Sequence, residues 1–329
     1  MLEEQNIADT EMFYYFSKSI KIIGCGGAGN NILSYLASIG VFGAETIALD
    51  TDEKHLSIIR ADKKILLGKS ITEGTGTGGS VDAGKKAAEA SAYSLHSTLQ
   101  NASLVLITAG MGGGTGTGAA TVIARLAREY GSTVVSIVSL PFGDEKDKRA
   151  KAEKGVGDLI AASDTVIPID FDRLKGYDPA TPRENAFFTM DEVIADKLKV
   201  LTEAITQRPL VHMSLVDVKK FLRDGGLGNM MVAEADYNRG DPGSITNRLE
   251  PLLDIGYHGP SKILVHITCG RDVVVGEALR IAESVHKKFD TKMPMLWGAR
   301  AQGFYEGRLK LMVILLGLNG DVFLSKGSL

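Results

Sequence analysis

Short apolar runs alternate with longer stretches of helical periodicity through the first half of the chain. Predicted strands lie at residues 20–23, 46–49, 64–67, 104–108, 134–139 and 165–169. Helical patterns between them begin near Asn30, Val81, Ala119 and Glu145. Short runs that are apolar throughout are typical of strands buried on both faces. We therefore predict an α/β fold in which helices cover a parallel sheet.

A different pattern begins after the turn-rich segment 176–185. A helical stretch without Pro or Gly, from Ala186 to about Gln207, is predicted to link two domains. Beyond it a smaller α+β domain is predicted, with strands at 263–268, 293–297 and 309–316, helices at 215–223 and 273–287, and a loop at 223–228. The predicted boundaries are an N-terminal extension at 1–18, a first domain at 19–185, the linking helix at 186–208 and a C-terminal domain at 209–329.

The composition is that of a folded globular protein, and it argues against several classes of function. The chain has 329 residues, 44% hydrophobic and 23% charged, which fits two domains. Its net charge of −3 argues against nucleic-acid binding. Cys25 and Cys269 match neither a disulfide framework nor a metal-ligand spacing, which favours a reducing cytoplasm. No apolar run has membrane-spanning length, and the N-terminus lacks the basic region of a signal peptide. The aromatic cluster at 13–16 is expected to pack on its own domain, with a partner or membrane contact as the alternative.

Three glycine-rich segments follow predicted strands and precede predicted helices. They are GCGGAGNN at 24–31, GTGTGG at 74–79 and GMGGGTGTG at 110–118. In this arrangement phosphate lies against bare backbone N–H groups at a helix N-terminus. Ser80 is the predicted N-cap after the second segment, and the third is also compatible with a merely flexible turn. Three such helix ends at one sheet edge predict a di- or triphosphate site held by backbone dipoles, because the chain has no P-loop lysine motif.

Dinucleotide binding is the alternative for the first glycine-rich segment. The segment satisfies G-x-G-x-x-G, and Asp50 and Asp52 lie about 20 residues further on, where such units carry a ribose-binding acid. This pattern alone would favour an NAD-dependent oxidoreductase. A dinucleotide site has no use for the segment 110–118, however, so a mononucleotide is the preferred ligand.

The motifs resemble the tubulin/FtsZ family, and its archaeal FtsZ members most closely. The resemblance rests on the segments 24–31, 74–84, 109–119 (AGMGGGTGTGA) and 141–149 (PFGDEKDKR), and it extends over about residues 20 to 318. It implies that the first domain binds GTP or GDP and that the C-terminal domain serves GTPase activation and polymerisation. It also implies Mg²⁺ on the phosphates, near Asp52, with no side chain named as its ligand.

The resemblance assigns roles to individual residues. Those expected to line the nucleotide are Gly27, Ala28, Gly29, Asn30, Asn31, Gly78 and Gly79. Those expected to cradle the phosphates are Gly114, Thr115, Gly116, Thr117 and Gly118. Those expected at the ribose and base are Glu145 on the ribose with Arg149 nearby, Phe187 stacked on the base, and Asp191 bound to it.

Each of these last four residues also has a plain structural interpretation. Glu145 and Arg149 are four residues apart, which suits an ion pair on a helix surface. Phe187 suits a core position, and Asp191 suits a first-turn acid on a helix dipole. The chemistry supports the binding roles as well. A carboxylate accepts both N1–H and N2–H₂ of guanine, adenine offers no such pair, and a stacked ring adds roughly 1–3 kcal/mol.

The resemblance further implies that subunits stack head to tail and that a loop after the linking helix completes the neighbour's GTP site. That loop reads Asn-x-Asp-x-x-Asp in the family, whereas this chain has His212, Ser214 and Asp217 at the three positions. Asp217 is the expected catalytic residue, and Ser214 stands at the position of a missing acid. Asp217 also suits a cap or first-turn acid of the following helix. Asp50 and Phe171 are further departures, since the family usually has Asn there.

Two functions follow from these observations. The first is an FtsZ-like GTPase that forms filaments, hydrolyses GTP slowly at the subunit interface, and serves cell division or cell shape. The second is a GTP-binding structural filament with little or no hydrolysis because the loop is altered. Both predict a cytoplasmic protein whose partner is another copy of itself, without nucleic-acid or direct membrane binding. The adaptor-binding tail typical of FtsZ is not evident after residue 318.

Overall fold

One continuous sheet runs through the whole computed structural model. The structure describes residues 16, 18–173, 182–237, 241–253, 260–289 and 292–319. Within these ranges the sheet has ten strands, namely β1 (Ile20–Cys25), β2 (Glu45–Asp50), β3 (Lys63–Leu66), β4 (Leu104–Gly110), β5 (Thr133–Leu140), β6 (Thr165–Asp170), β7 (Gly226–Asp236), β8 (Lys262–Cys269), β9 (Met295–Ala301) and β10 (Arg308–Leu318).

The strand order is β3-β2-β1-β4-β5-β6-β7-β10-β8-β9. Neighbouring strands are parallel from β3 to β7, which confirms the predicted parallel sheet of the first half. The β6–β7 pairing joins the two halves through Thr165 with Gly226 and Val166 with Leu227. In the second half β10 runs antiparallel to both β7 and β8, whereas β9 is parallel to β8.

Helices cover both faces of this sheet. They are α1 (Gly26–Ile39), α2 (Glu53–Ile58), α3 (Lys69–Thr72), α4 (Val81–Ala90), α5 (Ala92–Leu99), α6 (Gly114–Glu129), α7 (Lys146–Ala162), α8 (Arg183–Thr206), α9 (Leu215–Leu222), α10 (Gly243–Thr246) and α11 (Val275–Phe289). Side chains of β1 alternate between the two cores. Ile20 and Ile22 belong to the core that contains residues of α1 and α8, whereas Ile23 and Cys25 belong to the core that contains residues of α4 to α7. This strand is therefore buried on both faces, as its largely apolar sequence predicted, and Lys21 within it is buried as well.

Several helix boundaries differ from those predicted. α1 and α6 begin at Gly26 and Gly114, so the glycine motifs form the first turns of these helices rather than loops ahead of them. Tertiary packing overrides the low helix propensity of glycine at these sites. The helix predicted from Val81 onward is interrupted at Ser91, which ends α4 and precedes α5. The linking helix α8 begins three residues earlier than predicted and ends at Thr206.

The prediction was least accurate around β7. The predicted loop 223–228 overlaps the first residues of β7. The strand itself was not predicted, because its N-terminal part is glycine-rich. The strand predicted at 293–297 lies at Met295–Ala301, and α11 extends to Phe289. Of the aromatic cluster at 13–16, Phe16 packs against the core with α1 and α8, and the other three residues lie outside the described part of the chain.

The end of α8 and the loop after it are held by two adjacent residues of β9. Arg300 donates to the Glu203 carboxylate of α8 at 2.9 Å, and both side chains are about nine-tenths buried. Ala299 exchanges backbone hydrogen bonds with Val211 in the loop. β9 thus fixes the position of the segment that contains His212 and Ser214.

Candidate functional site

A cavity of about 470 Å³ opens where β1, β4, β5 and β6 end. Nine of the residues assigned from the resemblance line it, namely Gly27, Ala28, Asn31, Gly114, Thr115, Gly116, Glu145, Phe187 and Asp191. The lining also includes residues that were not singled out, among them Thr77, Ser139 and Lys148. The carboxyl edge of a parallel sheet is where α/β proteins bind ligands.

Two helices begin at the wall of this cavity, α1 and α6. Their N-cap residues, Cys25 and Gly113, make no side-chain capping hydrogen bond. The N–H groups of a first helical turn have no intrahelical acceptor, so both turns present free donors and the positive end of a helix dipole. The two helix ends form an anion site of the kind that holds phosphates.

The second glycine-rich segment, 74–79, contributes differently from the other two. Ser80 caps α4 with its own hydroxyl, which accepts from Ala83 N at 3.2 Å, as predicted. Thr77 lines the cavity, whereas Gly78 and Gly79 are not among its lining residues. Because α4 is capped by its own serine, we expect this segment to close the side of the site rather than to bind phosphate through a free helix end.

Two residues expected to line the nucleotide on α1 face away from the cavity. A Cβ on Gly29 would lie 2.4 Å from the backbone oxygen of Thr108, so this glycine permits close packing of α1 on β4. Asn30 is fully buried and donates to Leu49 O at 3.1 Å and to Asp50 Oδ2 at 3.0 Å. In the first two turns of the helix the exposed positions, Gly27, Ala28 and Asn31, are those that line the cavity.

The phosphate motif of α6 divides in the same way. Thr115 lines the cavity, and its hydroxyl is 2.7 Å from that of Thr51. Thr117 Oγ1 accepts from Gly112 N at 2.9 Å, so it stabilises the turn. Thr117, Gly118 and Gly79 line a separate cavity of about 870 Å³ between α4, α6 and α7. This larger cavity is bounded by the sides of helices and lies apart from the two free helix ends, so we do not assign the phosphates to it.

Glu145 and Arg149 do not form the helix-surface pair considered above. Glu145 lines the cavity and accepts from Lys148 Nζ at 2.6 Å. Arg149 makes a bidentate pair with Asp170, at 2.9 and 2.6 Å, and donates to Pro141 O at 2.9 Å. Arg149 therefore fixes α7 to the end of β6 and so orients Glu145. Lys148 was missed, although its spacing of three residues from Glu145 is a recognisable signal.

Aromatic rings form one end of the cavity. The Phe187 ring lies 5.3 Å from that of Phe171 and 6.0 Å from that of Phe142, both in edge-to-face geometry. Phe187 is 43% exposed, so it is not a plain core residue. Phe171, noted above as a departure from the family, extends this aromatic wall.

Asp191 lines the cavity one helical turn after Phe187. Burial, with a smaller contribution from Glu192, raises the pKa of its carboxyl to about 7. A ligand that donates hydrogen bonds to Asp191 would stabilise its ionised form and lower this pKa. Guanine is such a ligand.

Asp50 and Asp52 are used inside the fold. Asp52 is the N-cap of α2 and accepts from Lys54 N at 2.9 Å and His55 N at 3.0 Å. Asp50 is buried and accepts from Asn30, His55 and the backbone of Thr51. Neither is among the residues that line the cavity, which argues against a dinucleotide site with a ribose-binding acid. The described residues also contain no group of three or more His, Cys, Asp or Glu side chains arranged to hold a metal ion.

Ser214 and Asp217 lie away from this cavity, at the exposed start of α9. Ser214 is the N-cap, and Asp217 N donates to its hydroxyl at 3.1 Å. Asp217 in turn accepts from the Ser214 hydroxyl at 2.5 Å and from Ser214 N at 3.3 Å. The two residues form a reciprocal capping box, so the structural role considered for Asp217 is present. The hydrogen bond from Ser214 lowers the pKa of the Asp217 carboxyl.

Comparison with known proteins identifies the family. The tubulin/FtsZ family GTPase-domain model matches residues 19–178, and the FtsZ family C-terminal-domain model matches 227–319. "Cell division protein FtsZ 2" of Halobacterium salinarum is 43% identical over 300 residues, 91% of this chain and 76% of that protein. The FtsZ 2 of Methanocaldococcus jannaschii is 42% identical over 311 residues, 93% and 82% of the two chains.

Solved structures show the same fold. A structure described as an empty FtsZ dimer of M. jannaschii superimposes with a TM-score of 0.85 and 34% identity, covering 94% of this chain and 92% of that one. CetZ2 of Haloferax volcanii, solved as a GTPγS-bound protofilament, has a TM-score of 0.81 at 23% identity, covers 94% and 97%, and shows the fold alone. Across the described residues, none of the helices combines the length and apolar character needed to cross a bilayer. The chain belongs to the tubulin/FtsZ family of GTPases.

Proposed function

We propose that this protein binds GTP in the 470 Å³ cavity, assembles head to tail into filaments in the cytoplasm, and hydrolyses GTP slowly between subunits. The observation that carries the proposal is the meeting of two uncapped helix N-termini with an aromatic wall and the Asp191 carboxylate in one cavity. The helix ends suit phosphates, and the far end suits a purine that donates two hydrogen bonds. A role in cell division or cell shape follows from the same resemblance.

The division of the cavity predicts how GTP would lie. Free N–H groups at Gly27 and Gly114 would meet the phosphates. Glu145, held by Lys148, would accept from the ribose hydroxyls. Phe187 and Asp191 would stack on and bind guanine. The described residues provide no carboxylate cluster for a cation, and Asp52 is occupied as a helix cap, so Mg²⁺ would be carried by the phosphates themselves.

Hydrolysis in trans is supported by where the loop lies. Asp217 is exposed and Ser214 is half-buried, and neither is among the residues that line the cavity of their own subunit. To act on GTP they would have to reach the site of another subunit, which requires head-to-tail stacking. The relatives described as an FtsZ dimer and a CetZ2 protofilament are consistent with such assembly.

The capping box supports the second candidate, a filament that binds GTP with little turnover. Asp217 already accepts two hydrogen bonds from Ser214 at Oδ2, and these hold its side chain against its own helix and make it a weaker base. Ser214 itself supplies no carboxylate at the position where the family has one. Loss of one preorganised group of this kind lowers the rate by on the order of 10²–10³.

The decisive experiment measures phosphate release from GTP against protein concentration, with light scattering and negative-stain microscopy on the same samples. Turnover per subunit that rises above a critical concentration, together with filaments, supports the interfacial GTPase. Filaments without phosphate release support the structural role. ATP serves as the matched control because adenine lacks the paired N1–H and N2–H₂ donors from which Asp191 would accept hydrogen bonds. Equal binding of ATP and GTP, or binding of neither, would contradict the proposal.

A further inference from the structure

His55 connects a buried carboxylate to the rim of the nucleotide cavity. Its Nδ1 lies 2.9 Å from Asp50 Oδ2, and its Nε2 lies 3.2 Å from Asn31 Oδ1. Asn31 lines the cavity, whereas Asp50 lies behind it at the end of β2. The imidazole therefore links the sheet to a side-chain amide that faces the ligand.

The surroundings of Asp50 determine the tautomer of His55. Asp50 Oδ2 also accepts from Asn30 Nδ2 at 3.0 Å, and Oδ1 accepts from Thr51 N at 2.8 Å. An ionised carboxylate only accepts hydrogen bonds, so the Nδ1 that faces it must carry a proton. Nε2 is then an acceptor in the neutral ring and a donor in the imidazolium.

The two charge states of His55 require opposite orientations of the Asn31 amide. An imidazolium donates to Asn31 Oδ1, which the contact of 3.2 Å between Nε2 and Oδ1 would accommodate, and this turns the NH₂ group toward the cavity. A neutral ring accepts from the Asn31 NH₂ group instead, which turns Oδ1 toward the cavity. An anionic nucleotide is attracted by the donor and by the positive ring, and it is repelled by the carbonyl oxygen.

We propose that the charge of His55 sets which end of the Asn31 amide faces the nucleotide, so that nucleotide binding is coupled to proton uptake at His55. This inference rests on the proposed nucleotide-binding function. Asp50 is the positioning residue, because its carboxylate holds Nδ1 and leaves Nε2 facing Asn31. The coupling would be a property of this chain, because the family usually has Asn at the position of Asp50.

The charged and titratable groups around the ring are consistent with this role. Asp50 on β2 faces Nδ1, and Asp52 accepts the backbone N–H of His55. Glu53 and Lys54 are neighbours on α2 itself. From β1, Cys25 lies near Asp50, and burial, with a contribution from Asp50, raises the pKa of its thiol so that it stays neutral. From α1 the ring meets Asn31 and Gly27, which carry no charge.

The test is calorimetry of GDP binding near pH 7 in two buffers of different ionisation enthalpy, which gives the number of protons exchanged. His55→Gln is the test variant, and His96→Gln on α5 is the matched control. The GDP terminal phosphate, whose second pKa is about 6, and Asp191 exchange protons in all three proteins. The difference between variants therefore isolates His55. We expect wild type and His96→Gln to take up the same number of protons, and His55→Gln to take up fewer, by at most about one.

Affinity should show the same coupling. The ratio of the His55→Gln Kd to the wild-type Kd should fall from about 10 in mildly acidic buffer toward 1 in mildly alkaline buffer, because the ring loses its positive charge as the pH rises. Asp50→Asn should reduce this pH dependence with His55 still present. Asn31→Ala, at an exposed position, should remove most of the extra proton uptake and serves if His55→Gln does not fold.

Two failures can be told apart. Equal proton uptake by wild type, His55→Gln and Asn31→Ala, with Kd ratios that do not change with pH, would overturn the coupling and leave nucleotide binding intact. Absence of GDP binding by wild type at every pH would overturn the proposed function, and this inference with it.

Discussion

Ser214 and Asp217 cap one another at the start of α9, through Ser214 Oγ to Asp217 Oδ2 at 2.5 Å and Asp217 N to Ser214 Oγ at 3.1 Å. Ser214→Asp should therefore have two effects at once. It restores a carboxylate at the position of the missing acid, and it removes the hydroxyl that holds Asp217, so that Asp217 is free to turn outward. We expect GTP hydrolysis above the critical concentration to rise on the order of 100-fold.

The stability of α9 should change little, because Asp is as good an N-cap as Ser. Ser97→Asp, which adds the same charge on the exposed surface of α5, is the control and should leave the rate unchanged. Phosphate release measures both. An unchanged rate in a Ser214→Asp variant that still forms filaments would show that this loop does not limit hydrolysis.

Asp191→Asn should weaken GTP binding yet stabilise the empty protein. Burial raises the pKa of this carboxyl to about 7 in the folded chain, against about 3.9 in an unfolded one. A raised carboxyl pKa means that unfolding releases a proton between these values, so this group makes the fold progressively less stable as pH rises from about 4 to 7. The Asn variant should have the higher Tm at pH 8 and nearly the same Tm at pH 4.

The contribution of Asp191 to GTP binding should change with pH in the opposite direction from its contribution to stability. Guanine favours the ionised form of Asp191, so the advantage of wild type over Asp191→Asn should be present above pH 7 and should shrink below it. Glu192→Gln, next in sequence, is the control and should retain GTP selectivity over ATP. A variant at Asp191 that binds GTP as tightly as wild type at pH 8 would contradict the base-binding role.

Gly29→Ala and Gly27→Ala should show that one glycine of α1 is required for helix packing and the other is not. A Cβ at Gly29 would lie 2.4 Å from Thr108 O, whereas one at Gly27 has His55 Cε1 at 3.9 Å as its nearest neighbour. We expect Gly29→Ala to lower the free energy of unfolding by about 2 kcal/mol, because the helix must shift away from β4. Gly27→Ala should be neutral or slightly stabilising, because alanine favours helix. Urea unfolding distinguishes these outcomes, and equal stabilities would refute the packing role of Gly29.

Arg300→Met should be strongly destabilising. It leaves the Glu203 carboxylate, about nine-tenths buried, with Lys199 as its remaining cation. Loss of one partner of a buried ion pair costs about 3–5 kcal/mol. Arg308→Met, which removes an exposed partner of Glu234, should cost less than about 1 kcal/mol. Urea unfolding of both variants checks this difference in stability. The loss of unfolding free energy in the Arg300→Met, Glu203→Leu double variant should be smaller than the sum of the losses in the two single variants.

The periodicity of the sequence was sufficient to predict the parallel half of the sheet, because its strands are short and largely apolar, with few charged residues such as Lys21 of β1. It did not predict β7, whose start at Gly226 requires a positive φ of 61° and whose later residues alternate in burial. It also placed the starts of α1 and α6 too late, since local propensity opposes helix at glycine. Contacts made by the rest of the fold, which a local pattern does not contain, determine these boundaries.

The candidate site was predicted in outline for a similar reason. Glycine-rich segments after strands are a local signal, and they led to the residues around Gly27 and Gly114. Which residue of a motif faces the ligand depends on the helix phase, so Gly29 and Asn30 were grouped with Asn31 although they face the sheet. The pairing of Arg149 with Asp170 joins residues 21 positions apart and has no signature in either segment.

The narrow pairing between β6 and β7 has a mechanical consequence. Two residue pairs connect these strands, whereas six connect β5 with β6 and ten connect β7 with β10. A force that pulls the C-terminal strands away from the nucleotide cavity is therefore opposed by fewer hydrogen bonds between β6 and β7 than between β5 and β6 or between β7 and β10. The 24-residue helix α8, about 36 Å long, contacts β5 in the first half of the sheet and β9 in the second, so it connects the two halves independently of the β6–β7 pairing. We expect that under tension the β6–β7 pairing would separate before the strands within either half of the sheet do.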